Sequence, residues 1–179
     1  MKWKRLVPKH CCEVICQKDG EKHRADILTE SGVVVELQHS AISVDEIQER
    51  ERFYGEKMIW LFDATNSCPL PRPLPANPDE FYSPPHRLIL WPPSRAYHDD
   101  ARLILNLNRL AAIPDDYRRF RWKHPRKSVL FTKRRTYLDT GCFGILRVDK
   151  IVINGSCHGY GMLKPASDFT DWLSKRRDL

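Results

Sequence analysis

The sequence predicts an α/β (α+β) fold: a small mixed sheet assembled strand, strand, strand, helix, strand, then a proline-rich connection and a β-rich C-terminal part. Three observations predict it. Two strand-length runs, Arg24 to Leu28 and Val33 to Leu37, flank Thr29-Glu30-Ser31-Gly32, a small, polar connection ending in glycine. Ser43, three residues ahead of Glu46, forms a capping box that opens a helix; Gly55 stops it, and "KMIWLF" (Lys57 to Phe62) follows as an unbroken apolar run. Between Cys68 and Pro93 lie nine of the chain's thirteen prolines, a density that no central strand tolerates.

Taken in order, "MKWKRLVPKH" leaves room only for a shortened first helix, with Trp3 supplying part of its packing. "CCEVIC" (Cys11 to Cys16) reads as the first strand, and the two runs around Gly32 as a β-hairpin. In the helix that follows, Val44, Ile47 and Tyr54 share the inward face and Glu46 pairs with Arg50 at i, i+4. Strand, helix and buried strand then make a βαβ crossover. Residues 1–66 form this core and residues 67–95 an extended connection holding a short strand, "RLILW" (Arg87 to Trp91). In residues 96–179, Leu103, Ile104, Leu107, Leu110 and Ala111 mark a helix from Asp99 to Pro114. "KSVLFT", "TYLDTG", "FGILRVDKIVIN" and "GYGMLK" read as strands with glycines as turn punctuation, and "SDFTDWLSKRRDL" as a closing helix capped by Ser167.

At 179 residues the chain is long enough to bury a core without staples. It holds no stretch of eighteen apolar residues and no secretory leader, so a membrane partner is not expected and the expected compartment is the cytoplasm. Cys11, Cys12, Cys16, Cys68, Cys142 and Cys157 show no repeated C-x-x-C; they read as reduced thiols rather than a disulfide framework, and His10, Cys11, Cys12 and Cys16 do not form two spaced zinc-ligand couples. Nothing in the pattern calls for a homodimer.

Side chains alternate along a strand, so Val34, Glu36 and Gln38 share one face, and a hairpin with a three- to five-residue loop sets Asp26 opposite or beside Glu36. Two carboxylates about 4 Å apart repel by roughly 1 to 4 kcal/mol. A hard divalent ion offsets that, because Mg²⁺ is commonly held by one or two carboxylates plus water and substrate phosphate. The same spacing also suits a solvated acidic hairpin face. Lys and Arg outnumber Asp and Glu 30 to 23, a net charge of +7. From Tyr117 to Arg135 the chain carries Arg118, Arg119, Arg121, Lys123, Arg126, Lys127, Lys133, Arg134 and Arg135 and no acid, interleaved with Tyr117, Phe120, Trp122 and Phe131. Bases that neutralise phosphates beside rings that stack on nucleobases read as a nucleic-acid surface; a solvated strand edge is the plainer reading.

"HRADILTESGVVVELQHSAISVDEIQERERFYG" followed by "MIWLFDA" resembles the nuclease-like domain of the competence protein CoiA family, within the PD-(D/E)XK nuclease superfamily. The matching elements are R-A-D, a strand carrying E-x-Q, then S-x-I-S-x-x-E-I-x-E-R and an aromatic-rich strand, over roughly Cys11 to Ala64. The resemblance implies a restriction-endonuclease-like core and a Mg²⁺- (or Mn²⁺-) dependent nuclease acting on DNA, in processing of incoming or mobile DNA. It implies Asp26 and Glu36 as metal carboxylates and Gln38 at the lysine position. Gln38 hydrogen-bonds water but supplies no lysine charge, and the short N-terminal segment offers no acidic ligand. Glu13, His23, His39, Ser40 and Glu46 are candidates for supporting the site, and Ser43 caps the helix. The alternative is a nuclease fold that has lost turnover and works as a nucleic-acid-binding module.

Overall fold

The computed structural model describes residues 2–67, 88–91, 116–154 and 156–174. Among the described residues there are nine strands: β1 (Cys12–Lys18), β2 (Glu21–Leu28), β3 (Val34–Gln38), β4 (Met58–Asp63), β5 (Leu88–Trp91), β6 (Tyr117–Trp122), β7 (Arg135–Asp139), β8 (Ile145–Asn154) and β9 (Ser156–Lys164). They form one mixed sheet in the order β1-β2-β3-β4-β7-β8-β9-β6-β5. Helix α1 (Val44–Tyr54) joins β3 to β4, and α2 (Ala166–Ser174) follows β9. The β3–β4 and β4–β7 pairs are parallel and the others antiparallel. The strand-strand-strand-helix-strand order of the N-terminal third is therefore present, and the C-terminal strands continue the same sheet through β7. No helix among the described residues is long and apolar enough to cross a membrane.

Alternation along the central strands feeds two cores. Val34, Trp60, Phe62 and Leu138 face Ile47 of α1; Val35, Leu37, Ile59, Leu61 and Tyr137 face Trp3 and the α2 residues Phe169, Trp172 and Leu173. The sheet curls, because Leu88, Phe120 and Trp122 from its far end join the same core as Ala25 and Val34. The N-terminal segment is two 3-10 turns, Trp3–Leu6 and Lys9–Cys11, rather than a full helix. Trp3 is buried, with its ring edge-on to Phe169 at 5.3 Å.

Local chemistry explains the boundaries of α1. The Ser43 hydroxyl accepts the Glu46 N–H at 3.1 Å, and Gly55 ends the helix with φ 69, a conformation that costs a residue with a side chain. Three expectations change. "KSVLFT" is a 3-10 turn over Lys127–Phe131, not a strand: Val129 N–H bonds the Arg126 carbonyl at 3.0 Å, and a short apolar run has no period to distinguish the two. Gly159 and Gly161 lie inside β9 rather than at a turn; a Cβ there would meet the Lys150 and Arg147 carbonyl oxygens at 2.1 and 1.8 Å. Ser167 lies within α2 and bonds Asp168 at 3.3 Å instead of capping the helix. The predicted Asp99 to Pro114 helix and most of the proline-rich connection fall outside the described residues.

Candidate metal centre

The hairpin ladder pairs Leu28 with Val34 and Ile27 with Val35, and stops one step before Asp26 and Glu36 would face each other. There the Asp26 side chain takes over the backbone's role: Oδ2 accepts the Leu37 N–H at 2.9 Å. Its other oxygen, Oδ1, accepts Lys4 Nζ at 2.6 Å, delivered by the first 3-10 turn. Glu36, on the α1 side of β3, is only 2% exposed. Arg50 Nη1 donates to its Oε2 at 2.5 Å, while its Oε1 is buried and has no hydrogen-bond partner. Glu46 Oε1 accepts Arg50 Nη2 at 2.9 Å and Nε at 3.2 Å, so Glu46 positions Arg50 and Arg50 positions Glu36.

Burial pushes the Glu36 carboxyl up to about 7; Arg50 opposes the rise and the Asp26 charge adds to it. The charge of Asp26 reaches Glu36, as that of a neighbouring carboxylate does. Tyr54 stands beside Glu36: burial and then that carboxylate push its phenol up, and its hydroxyl is a donor to the carboxylate in a geometry short of a well-formed hydrogen bond. Burial and then Glu36 also raise the Cys16 thiol. Glu36 therefore has one oxygen on Arg50 and one without a well-formed hydrogen bond, with the Tyr54 phenol beside the carboxylate.

The remaining candidates take separate places. Gln38, on the same face of β3 as Glu36, bonds the Ser40 carbonyl through Nε2 at 2.7 Å. Glu13 shares Lys4 with Asp26 and meets Arg24 Nε at 2.9 Å. His23 packs its ring on Phe53 at 4.3 Å and lies 3.4 Å from Glu49, a position between β2 and α1. His39 Nδ1 is 2.9 Å from Asp63 Oδ2, at the adjoining ends of β3 and β4.

The basic residues divide into three groups. Arg118, Arg119 and Arg121 lie on β6, where Arg119 is buried and Arg118 Nη1 bonds the Tyr117 carbonyl at 2.7 Å. Lys123, Arg126 and Lys127 follow β6; Arg126 Nη1 reaches the Gln38 and Ser40 carbonyls at 3.2 and 3.4 Å, which brings Arg126 to the end of β3. Arg134 and Arg135 stand at the start of β7, beside Ile59 and so toward the other end of the parallel strands; Arg134 pairs with Glu56. Tyr117, Phe120 and Trp122 are buried, because β6 turns them into the sheet's packing, so among the four interleaved aromatics only Phe131 is exposed to stack on a base.

Among the described residues no three His, Cys, Asp or Glu side chains converge as a metal cage. The donor set is two carboxylates, one with an orphaned buried oxygen. That fits a hard ion such as Mg²⁺, which keeps several waters and takes substrate oxygens. Sequence reasoning missed Lys4, Tyr54, Cys16 and the contact of Arg50 with Glu36, because each depends on how an N-terminal turn, β1 or α1 packs against the hairpin. Arg50 was legible only as the partner of Glu46. No protein-family model, curated protein or solved structure matches this chain.

Proposed function

We propose that this protein is a metal-dependent nuclease that hydrolyses phosphodiester bonds of DNA, with β1, β2, β3, α1 and β4 as a restriction-endonuclease-like core and Asp26 and Glu36 as ligands of Mg²⁺ or Mn²⁺. The observation that carries the reading is Glu36 Oε1, a buried carboxylate oxygen without a well-formed hydrogen bond, on an acid that feels the charge of Asp26. Buried polar atoms are almost always bonded, and exceptions point to a ligand or a catalytic role. A bound divalent ion polarises the scissile phosphate and lowers the pKa of its water. In the reaction a bond forms between water oxygen and phosphorus as one ester P–O bond breaks. One water proton is lost to solvent, the leaving oxygen gains one, and the products are a phosphate monoester and an alcohol.

The chain's own residues bind and orient. Asp26 is fixed by the Leu37 N–H, and Arg50 holds Glu36 through Oε2. Gln38 lies on the strand face of Glu36 at the end that Arg126 reaches, and Lys123 and Lys127 flank Arg126 in the chain. Those cations supply phosphate contacts that are independent of sequence.

The test is cleavage of single-stranded, double-stranded and branched DNA with Mg²⁺, Mn²⁺ or EDTA, comparing the parent with Glu36→Gln and Asp26→Asn. The expected result is metal-dependent cutting by the parent and a loss of about a thousandfold, roughly 4 kcal/mol, in either variant. Equal DNA binding by all three proteins with no product under any metal overturns the enzyme reading and leaves a binding module.

A further inference from the structure

If Gln38 carries no charge, the positive group for this site must come from elsewhere, and three observations point to Lys4. The Gln38 amide is taken up by the Ser40 carbonyl at 2.7 Å. Arg50, the cation on Glu36, engages Glu36 and Glu46 with separate nitrogens of one planar fork. Lys4 meets Asp26 Oδ1 at 2.6 Å and Glu13 with a single ammonium, a compact charge on a flexible four-carbon stem that can pass from one oxygen to another.

The base of that stem is rigid. Trp3 Nε1 donates to Asp139 Oδ2 at 2.9 Å, and Cys12 Sγ donates to the Lys4 carbonyl at 3.3 Å. Glu13, which also bonds Lys4, has a φ of 54, a left-handed conformation that costs a non-glycine residue on the order of 1 to 3 kcal/mol. The fold thus tolerates a strained residue at the point where a second carboxylate tethers this lysine.

We propose that Lys4 is the movable cation of the site: it is the counter-ion of Asp26 in the metal-free protein, and with metal and substrate bound it hydrogen-bonds a non-bridging oxygen of the scissile phosphate. This rests on the nuclease reading. A divalent ion and an ammonium are alternative partners for Asp26 Oδ1, because like charges a few ångströms apart repel. Glu13 keeps the displaced ammonium at the site, where phosphate gains charge as its ester bond breaks, and a positioned cation acts most strongly on charge that develops in the transition state. Lys4 is then a catalytic residue and Glu13 a positioning residue.

The test measures Mn²⁺ binding to the full chain by electron paramagnetic resonance, alongside steady-state DNA cleavage, for the parent, Lys4→Met, Lys4→Arg, Glu13→Gln and Asp26→Asn. Lys4→Met is expected to bind Mn²⁺ about fivefold tighter, since a competing cation is gone. Its kcat is expected to fall about a hundredfold at unchanged KM. Lys4→Arg should recover part of kcat, and Glu13→Gln should lower kcat by less than Lys4→Met. A lysine that only braced the fold would loosen Mn²⁺ binding or leave it alone. Mn²⁺ binding by the parent that is lost in Asp26→Asn, together with Lys4→Met matching the parent in affinity and kcat, overturns the role of Lys4 and keeps the nuclease. A parent that binds no Mn²⁺ overturns both. Should Lys4→Met fail to fold, Lys4→Arg decides: parental kcat supports the charge requirement, and a kcat as low as that of Asp26→Asn overturns it.

Discussion

Glu36 and Glu51 are both buried acids, 2% and 4% exposed, yet their surroundings are opposite. Glu51 is saturated by its own chain: Oε1 accepts Trp60 Nε1 at 3.0 Å and the backbone N–H groups of Lys133 and Arg134 at 2.8 and 3.1 Å, and Oε2 accepts Lys133 N–H again at 3.1 Å. Asp139 is saturated in the same way by Lys2, Trp3 and the Gly141 N–H. Glu36 has one guanidinium and one oxygen without a well-formed hydrogen bond, with the Tyr54 phenol as its remaining polar neighbour. A carboxylate kept for architecture is surrounded by donors that cannot leave. One with an open oxygen costs stability, and that cost is a reason to look for something that fills it.

The sharpest way to break the comparison is to remove each acid in turn. Glu51→Leu strands the Trp60 indole N–H and two backbone N–H groups, each costing about 1 to 3 kcal/mol, so a loss of at least about 3 kcal/mol is expected in chemical denaturation. Glu36→Gln removes a charge that burial disfavours and keeps polar atoms for Arg50, so metal-free stability at pH 8 should hold or rise. Equal destabilisation by both changes would erase the distinction.

The second test is a pH profile in EDTA. The folded value of Glu36 lies above its ordinary 4.5, at about 7, with burial as the main cause. A group raised on folding contributes stability that is present below its unfolded value and is lost as pH climbs through the folded one. The metal-free protein should therefore lose on the order of 3 kcal/mol between pH 4.5 and 8 from this group. Glu36→Gln should flatten that part of the curve, and an unchanged slope would show that Arg50 compensates Glu36 fully.

What was legible in the sequence follows from range. The hairpin, the Ser43 cap, the Gly55 stop and the buried strand Met58–Asp63 depend on neighbours within a few residues, and each stands as read. The hairpin register, Leu28 with Val34 and Ile27 with Val35, was legible because a short loop fixes it, and the ladder ends one step before Asp26 and Glu36. Lys4 was not: a 3-10 turn at the chain's start reaches Asp26 only because Trp3 finds Asp139 and Phe169, more than 130 residues away. Strand β6 was read only as a charged stretch, although its Tyr117, Phe120 and Trp122 are core; the arginines between them masked it. The missing acids of the basic run were equally non-local, since Glu56 pairs with Arg134 from beyond the run.

That last point separates the arginines. Arg126, held by two carbonyls at the end of β3, has no acidic partner among the described ion pairs, whereas Arg134 is neutralised by Glu56. Arg126→Ala is expected to weaken DNA binding by about 1 kcal/mol and to reduce the log–log salt slope by about 0.9, the value of one phosphate contact on duplex DNA. Arg134→Ala should leave the slope unchanged. Identical slopes in both variants would place the phosphate contacts away from the β3 end.

The smallest effect expected concerns Asp63, where the strand end carries an acid that is again satisfied. Its oxygens accept the Thr65 hydroxyl at 2.6 Å and the Thr65 N–H at 3.0 Å, and His39 Nδ1 lies 2.9 Å away. Burial favours the neutral acid, but these partners outweigh it and hold the carboxyl below its ordinary value. The sign is opposite to that of Glu36: stability from Asp63 is present above its unfolded value of about 3.8 and drains as pH falls through the lower folded one. His39→Ala removes one partner of three, so it should cost a few tenths of a kcal/mol near neutral pH and shrink the acid limb. Since His39 adjoins Gln38 in sequence, the variant also asks whether the site tolerates a shift at the end of β3. A change in stability with unaltered Mn²⁺ binding would assign His39 to the saturated, architectural class of Glu51 and Asp139, and weakened Mn²⁺ binding would move it to the side of Glu36.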